Sequence, residues 1–337
     1  MVLPRTLRAL VPVLALAIAV VGLGAPVEGQ VRVAGGRHVV EKAKPAAKKD
    51  PRKTRGLFVD PLMKAAQAGA EFRPIGKRAQ PLWITDYYHS PGAAKRATAG
   101  YVKRAAKAHK TPLLTVYNIP DRDCGMYSSQ DDQITDGYYR RWVTKLAAGI
   151  GSSKPIVILE PDAIPFIGNP ACTGVGNRLG LLAFAAKKLT KAGAWVYLDA
   201  GHSGWQTPEH MAPLLKKAGI RYTRGFSTNV ANTRATVDEQ VYAKGLIGQL
   251  RKVGVKGSHY VIDTGRNGAG RNGPANGDVC NPQAARLGAK PQLVFKGAFD
   301  GNLWVKNPGE SDGDGANCSG GPPSGTWWPD YARLLMS

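Results

Sequence analysis

Paired histidines, closely spaced cysteines and long apolar runs are what this chain of 337 residues lacks. It holds six histidines, none arranged as a ligand pair, and four cysteines, none in a CxxC spacing. That removes the usual zinc sites and counts against a metal-dependent hydrolase. Past the first two dozen residues no stretch is long and apolar enough to span a bilayer. No repeat of about 20 to 50 residues stands out, which excludes a solenoid. Acids are scarce, with 24 Asp and Glu against 46 Lys and Arg, for a net charge of +22.

A charge of this size raises the question of nucleic acid. The basic residues, however, are spread along helical segments such as AKRATAGYVKRAAKAHK (94–110). Spread of that kind fits a solvated basic face on an exported protein that meets anionic surfaces, so no nucleic-acid partner is expected. The N-terminus has the layout of an export signal: Arg5 and Arg8, an apolar run from Ala9 to about Gly24, then small residues. We read 1–26 as a signal peptide, 27–55 as a basic disordered linker and 56–337 as one catalytic domain. Residues 1–55 carry 11 Lys and Arg against 3 Asp and Glu, leaving +14 to the rest. The protein is expected to be secreted, to associate with a cell wall, and to be a monomer without a stable membrane span. Cys124, Cys172, Cys280 and Cys318 fit two disulfides in an oxidising compartment, and sequence alone leaves three pairings open.

The centre of the chain is KPIVILEPDAI (154–164), a β-branched run without polar alternation that ends in Glu160 and Asp162. Such a run is a strand buried on both faces, as parallel strands are. PLWITDYY, TPLLTVYN, AWVYLDAGH, GFSTNV, SHYVIDTG and FDGNLWV repeat the pattern, with helices of 10 to 18 residues between them. Alternation of this kind predicts βα units and a parallel sheet, an α/β fold of barrel type. Four strands deliver an aspartate at or just past their C-terminal ends: Asp123, Asp162, Asp199 and Asp312. In an α/β barrel those ends line the mouth of the active site. Acids gathered there repel one another and raise at least one pKa, which suits glycoside hydrolysis, where one carboxyl donates a proton and another is charged.

The stretches VYNIPDRDCG, VILEPDAI, YLDAGHSGW, STNVANTR, VIDTGRNGAG and LWVKNPGESDG resemble, in order, the cellulases of glycoside hydrolase family 6. The resemblance covers about Gly56 to the C-terminus and implies a distorted (β/α) barrel, related to the TIM barrel but with fewer strands. It implies an inverting glycosidase that cleaves β-1,4-glucosidic bonds without a cofactor. Within it, Asp162 resembles the general acid and Asp123 the neighbour that raises its pKa and organises the hydrolytic water. Asp312 resembles the proposed base, and Asp199 a supporting acid. Tyr117 resembles the tyrosine under the distorted sugar, Lys306 and Glu310 the polar pair beside the scissile bond, and Trp83, Trp205 and Trp304 the sugar platforms. His202, Asn229 and Asn232 are expected to meet substrate hydroxyls. The family's bridges correspond to Cys124 with Cys172 and Cys280 with Cys318.

The loop PFIGNPACTG and the insert GRNGPANG are not family landmarks. The region is compact and carries no separate carbohydrate-binding module, which favours an open cleft and internal cleavage of soluble or amorphous β-1,4-glucan. The alternatives are an exo-acting cellobiohydrolase of the same family and a wall-associated glucan-binding protein.

Overall fold

A computed structural model describes residues 49–125, 134–170, 172, 176–274, 278–315 and 318–337. The expected signal peptide, residues 27–48 of the expected linker, and the side chain of Asp123 lie outside what is described.

Eight strands form one curled sheet, numbered in chain order: β1 (Leu82–Thr85), β2 (Leu113–Tyr117), β3 (Ile156–Leu159), β4 (Trp195–Asp199), β5 (Gly225–Thr228), β6 (His259–Asp263), β7 (Gln292–Lys296) and β8 (Phe299–Leu303). Their order is β1-β2-β3-β4-β5-β6-β8-β7. Seven run parallel, and β7 pairs antiparallel with β8 at the edge. The parallel barrel therefore has one strand fewer than the standard eight. Short helices α1 (Lys64–Gln67) and α2 (Arg73–Gly76) precede β1, where the sequence suggests one leading helix. Helices α3 (Pro91–Lys107), α4 (Asp136–Ile150), α5 (Arg178–Lys191), α6 (Pro208–Lys217) and α7 (Thr236–Lys252) join successive parallel strands, and α8 (Pro329–Met336) ends the chain. Ser90, Thr135 and Thr207 cap α3, α4 and α6 by accepting from backbone amides in the first turn, which fixes where each helix starts.

Strict β/α alternation, expected to the end, stops after β6. A hairpin of β7 and β8 takes the place of a crossover helix there. Along β7 exposed and half-buried residues alternate, so a single covered face suffices for this edge strand.

The central strands are covered on both faces. Val157 and Leu159 of β3, with Val196 and Leu198 of β4, belong to the main core against the helices. Ile156, Ile158 and Tyr197 pack with Leu113, Val261 and Leu303 in a second cluster inside the barrel. A period of two carries this inward register to Tyr117, Asp199 and Asp263 at the strand ends. Position in the strand thus aims these side chains at the mouth before any loop contributes. The unclosed side is bridged by Trp83 of β1, whose indole Nε1 donates to the Val305 carbonyl at 2.9 Å.

Packing also begins earlier than the expected boundary at residue 56. Asp50 caps a short 3₁₀ turn, Pro51–Lys53. Arg52 is buried, paired with Asp50 at 2.6 Å, and donates to the Gly193 carbonyl at 2.9 Å. Its guanidinium lies 4.1 Å from the Trp195 ring centroid. The basic composition that reads as linker hides one arginine with a built socket. No described helix is long and apolar enough to cross a membrane.

Candidate active site

The strongest constraint on the mouth is backbone geometry at the end of β3. Glu160 has φ of 50° and Asp162 of 69°, a region that non-glycine residues enter only when surroundings hold them there. Glu160 is fully buried. Its Oε2 accepts from the amides of Asn118 and Ile119 at 2.9 and 3.0 Å, and its Oε1 accepts from the Tyr139 hydroxyl at 2.8 Å. It thereby fastens the end of β2, which leads to Asp123, to β3 and α4. Burial pushes its carboxyl up to about 7, against the three donors and Arg122, which pull it down.

Asp162 is half-buried, and its own amide donates to Oδ2 of Asp199 at 2.8 Å. Burial holds the Asp199 carboxyl well above the usual carboxylate range, and Glu239 adds repulsion. Glu239, also buried, accepts from the Ser203 amide at 2.8 Å. Behind Asp162, Arg178 is buried and donates to the carbonyls of Asp121 and Ala163 at 2.5 and 3.2 Å. The loops carrying Asp123 and Asp162 are thus drawn onto one guanidinium. The disulfide Cys124–Cys172 joins the same two loops.

Asp312 has the opposite environment. Despite burial, Arg266 and Lys306 hold its carboxyl at about 2. Lys306 Nζ lies 2.8 Å from Oδ1, while Arg266 and the Asn281 amide, the latter at 2.9 Å, donate to Oδ2. The Asp312 amide returns a bond of 2.7 Å to Asn281 Oδ1. Cys280–Cys318 ties down the neighbouring residues, so both disulfides are those the resemblance implies. The expectation that the gathered acids all repel one another therefore fails at Asp312, which sits in a cationic clamp. Arg266 and Lys306 thus keep this carboxylate ionised.

Among the expected sugar contacts, Tyr117 ends β2 with Trp83 edge-on at 5.6 Å between ring centroids, and the Arg122 guanidinium lies 5.0 Å from the Tyr117 ring centroid. Arg122 also pairs with Asp86 at 2.8 Å. Trp205 is half-buried, with Phe166 against it at 4.8 Å and the His202 ring at 5.5 Å. Burial, with Arg234 nearby, lowers His202 to about 4, and its Nδ1 accepts from the Gly204 amide. The ring is therefore neutral near pH 7.

Two expectations change, those for Trp304 and Asn229. Trp304 is 2% exposed, packs with Phe72, Ile75 and Ala332, and donates from Nε1 to the Ala289 carbonyl at 2.9 Å. It follows inward-facing Leu303, so its parity turns it away from the mouth, and it is core rather than platform. Asn229 is fully buried, donating to the carbonyls of Asp263 and Arg234 and accepting from the Arg234 amide. It clamps a loop, and its full burial keeps it from a sugar hydroxyl. Asn232 donates to the Val230 carbonyl at 2.8 Å within its own turn. Of the two polar groups expected beside the scissile bond, Lys306 lies 2.8 Å from Asp312 and Glu310 lies 3.5 Å from Lys64.

Asp263 is the acid that sequence reasoning missed. Its Oδ1 accepts from the Gly265 and Val305 amides and its Oδ2 from those of Ala231 and Lys306, at 2.9 to 3.1 Å. One side chain thus gathers the loops after β5, β6 and β8. The signal was present, since VID closes β6 as YLD closes β4. Glu239 gave no such signal, because an acid in the first turn of a helix reads as a partner of the helix dipole.

Comparison with known proteins agrees with this architecture. The family model for glycosyl hydrolases family 6 matches residues 45–337. Endoglucanase A of Cellulomonas fimi is 40% identical over 291 residues, covering 84% of this chain and 61% of that protein, so the chain spans about three fifths of this relative. Exoglucanase 3 of Agaricus bisporus is 28% identical over 288 residues, covering 71% of this chain and 66% of that protein. Among solved structures, the endoglucanase Cel6 from Mycobacterium tuberculosis, in complex with methyl-cellobiosyl-4-deoxy-4-thio-β-D-cellobioside, superposes with a TM-score of 0.77 at 37% identity, covering 85% of this chain and 98% of that one. With the curled seven-strand parallel barrel, the acids at its mouth and a match over nearly all described residues, the chain belongs to glycosyl hydrolases family 6.

Proposed function

We propose that this chain is a secreted, monomeric endo-β-1,4-glucanase that hydrolyses internal bonds of cellulose or a related soluble or amorphous glucan with inversion. The observation that carries the reading is the loop after β3, where Asp162 is held at positive φ with its amide on Asp199. An aspartate whose backbone is held so firmly at a barrel mouth suits a general acid, for which geometry comes first. Asp162 protonates the leaving oxygen, and Asp123 raises its pKa and organises the water. As the bond to the leaving oxygen breaks, the water attacks the anomeric carbon from the opposite face, and its proton passes to the Asp312 carboxylate, the proposed base beside Lys306. Tyr117, Trp83 and Trp205 form the apolar side of the cleft. The leader directs export, and the basic linker holds the enzyme near anionic wall material.

Endo action is supported by relatives named endoglucanase; the relative named exoglucanase supports exo action as the second reading. The test is hydrolysis of carboxymethylcellulose and cello-oligosaccharides. Viscosity falling faster than reducing ends appear, with initial α-anomer by NMR, is the expected result. Release of cellobiose from chain ends would favour the exo reading, and early β-anomer would remove the inverting mechanism. Asp162→Asn should lose most activity on glucan and least on an aryl cellobioside with a good leaving group, which needs little protonation.

A further inference from the structure

Helices α3, α4 and α5 follow one another around the barrel and contribute a single acid, Asp136, which lies in the first turn of α4. On α3, Arg96, Lys103 and Lys107 are exposed. Spacings of seven and four residues bring them onto one stripe, about 10 and 6 Å apart along the axis. Arg141 and Lys145 continue the face on α4, and Lys187 and Lys191 on α5. Among the described residues none of these seven has an ion-pair partner, whereas Arg104 of the same α3 is tied to Asp60 at 2.5 Å. The chain thus neutralises a basic group where one serves packing and leaves these seven without a carboxylate partner among the described residues, Lys187 resting 5.7 Å from the Tyr222 ring centroid.

We infer that this face is a docking surface for an anionic polysaccharide, separate from the hydrolytic cleft. The cleft opens at the C-terminal ends of the strands, whereas these groups lie on the outer helix layer, so a polymer can be held while glucan is cut. Complementary charge calls for a polyanion. Single-stranded nucleic acid is disfavoured because these helices present no exposed aromatic for base stacking among the described residues: Phe184 of α5 lies between Arg140 and Lys188, at 4.8 and 5.6 Å from its ring centroid. A lipid surface is disfavoured because none of the exposed large apolar residues lies on these helices, and a membrane-seated helix needs such residues to bury.

The full chain is tested for retention on immobilised polygalacturonate across a salt series. Two variants of equal charge change are compared: Arg96→Glu, Lys103→Glu, Lys107→Glu and Arg141→Glu on the face, and Lys244→Glu, Arg251→Glu, Lys252→Glu and Lys256→Glu on and just after α7, on another side of the barrel. Wild type should bind with log affinity falling linearly in log salt, and the face variant should bind about tenfold or more weakly with a shallower slope. The α7 variant should bind within about threefold of wild type, and all three should hydrolyse a neutral cello-oligosaccharide equally. Equal loss in both variants would reduce the effect to net charge and overturn the proposal. Tighter binding to duplex DNA or to phosphatidylserine vesicles at the same salt, or no binding to polygalacturonate by wild type, would overturn it as well.

Discussion

The amide of Asp162 rests on the carboxyl of Asp199 at 2.8 Å, from the end of the adjacent strand β4. The side chain resembling a supporting acid thus acts on backbone, keeping the residue proposed as proton donor in its left-handed conformation. Asp199→Ala should lower kcat about 100-fold, since displacement of the reacting group by about 1 Å costs that much. Asp199→Asn, which keeps an acceptor oxygen, should lose less. Steady-state kinetics on cellotetraose, with unfolding midpoints to show that both variants are folded, checks this.

Glu160 gives a pH test. Its folded pKa of about 7 lies above the unfolded value near 4.3, so the folded state binds the extra proton. Its contribution to stability is complete below about pH 4 and is lost as pH rises through 7. The difference in unfolding free energy between wild type and Glu160→Gln should therefore shift against wild type from pH 4.5 to 7.5, by on the order of a few kcal/mol. Denaturant titrations at both pH values measure it; a pH-independent difference would place the carboxyl's pKa near its ordinary value.

Asp312 behaves in the opposite sense. Its contribution is present above about pH 4 and is lost as pH falls towards 2. Arg266→Met leaves that carboxylate short of a partner and should cost about 3–5 kcal/mol at pH 7, as breaking a buried pair does. Guanidinium unfolding of the variant decides this.

The two tryptophans separate by readout. Trp304→Ala should lose about 3–5 kcal/mol of stability through its cavity, with KM unchanged for whatever fraction is folded. Trp205→Ala should raise KM and leave the unfolding midpoint nearly where it was. Paired kinetics and thermal melts distinguish them, and a raised KM in the folded Trp304 variant would restore it to the cleft.

Removal of the Cys280–Cys318 bridge should act on both stability and catalysis. Asn281, next to Cys280, exchanges two hydrogen bonds with Asp312. Replacing both cysteines with serine should cost about 2–4 kcal/mol, and loosening of the clamp should raise the pKa of Asp312 and move the acid limb of kcat/KM upward. A pH profile of the double variant measures that movement.

By itself the sequence determined the parallel sheet, because runs such as IVIL cannot be exposed on either face, and the segments between them have helix caps and helical length. It also determined that acids stand at the strand ends, since a strand's last residue is legible where the apolar run stops. The motifs that resemble family 6 identified the family and the cysteine pairing. What the acids do once there was decided only by tertiary structure. Asp162, Asp199 and Asp312 look alike in sequence, yet Asp199 is raised by burial and Asp312 lowered by two cations that reach it across loops. Trp304 and Asn229 bear motif positions that suggest sugar contacts. Strand parity turned the one into the core, and the carbonyls of Asp263 and Arg234 took up the other. The antiparallel edge strand and Arg52's socket were hidden for the same reason: each depends on a partner far along the chain, and local composition carries no record of it.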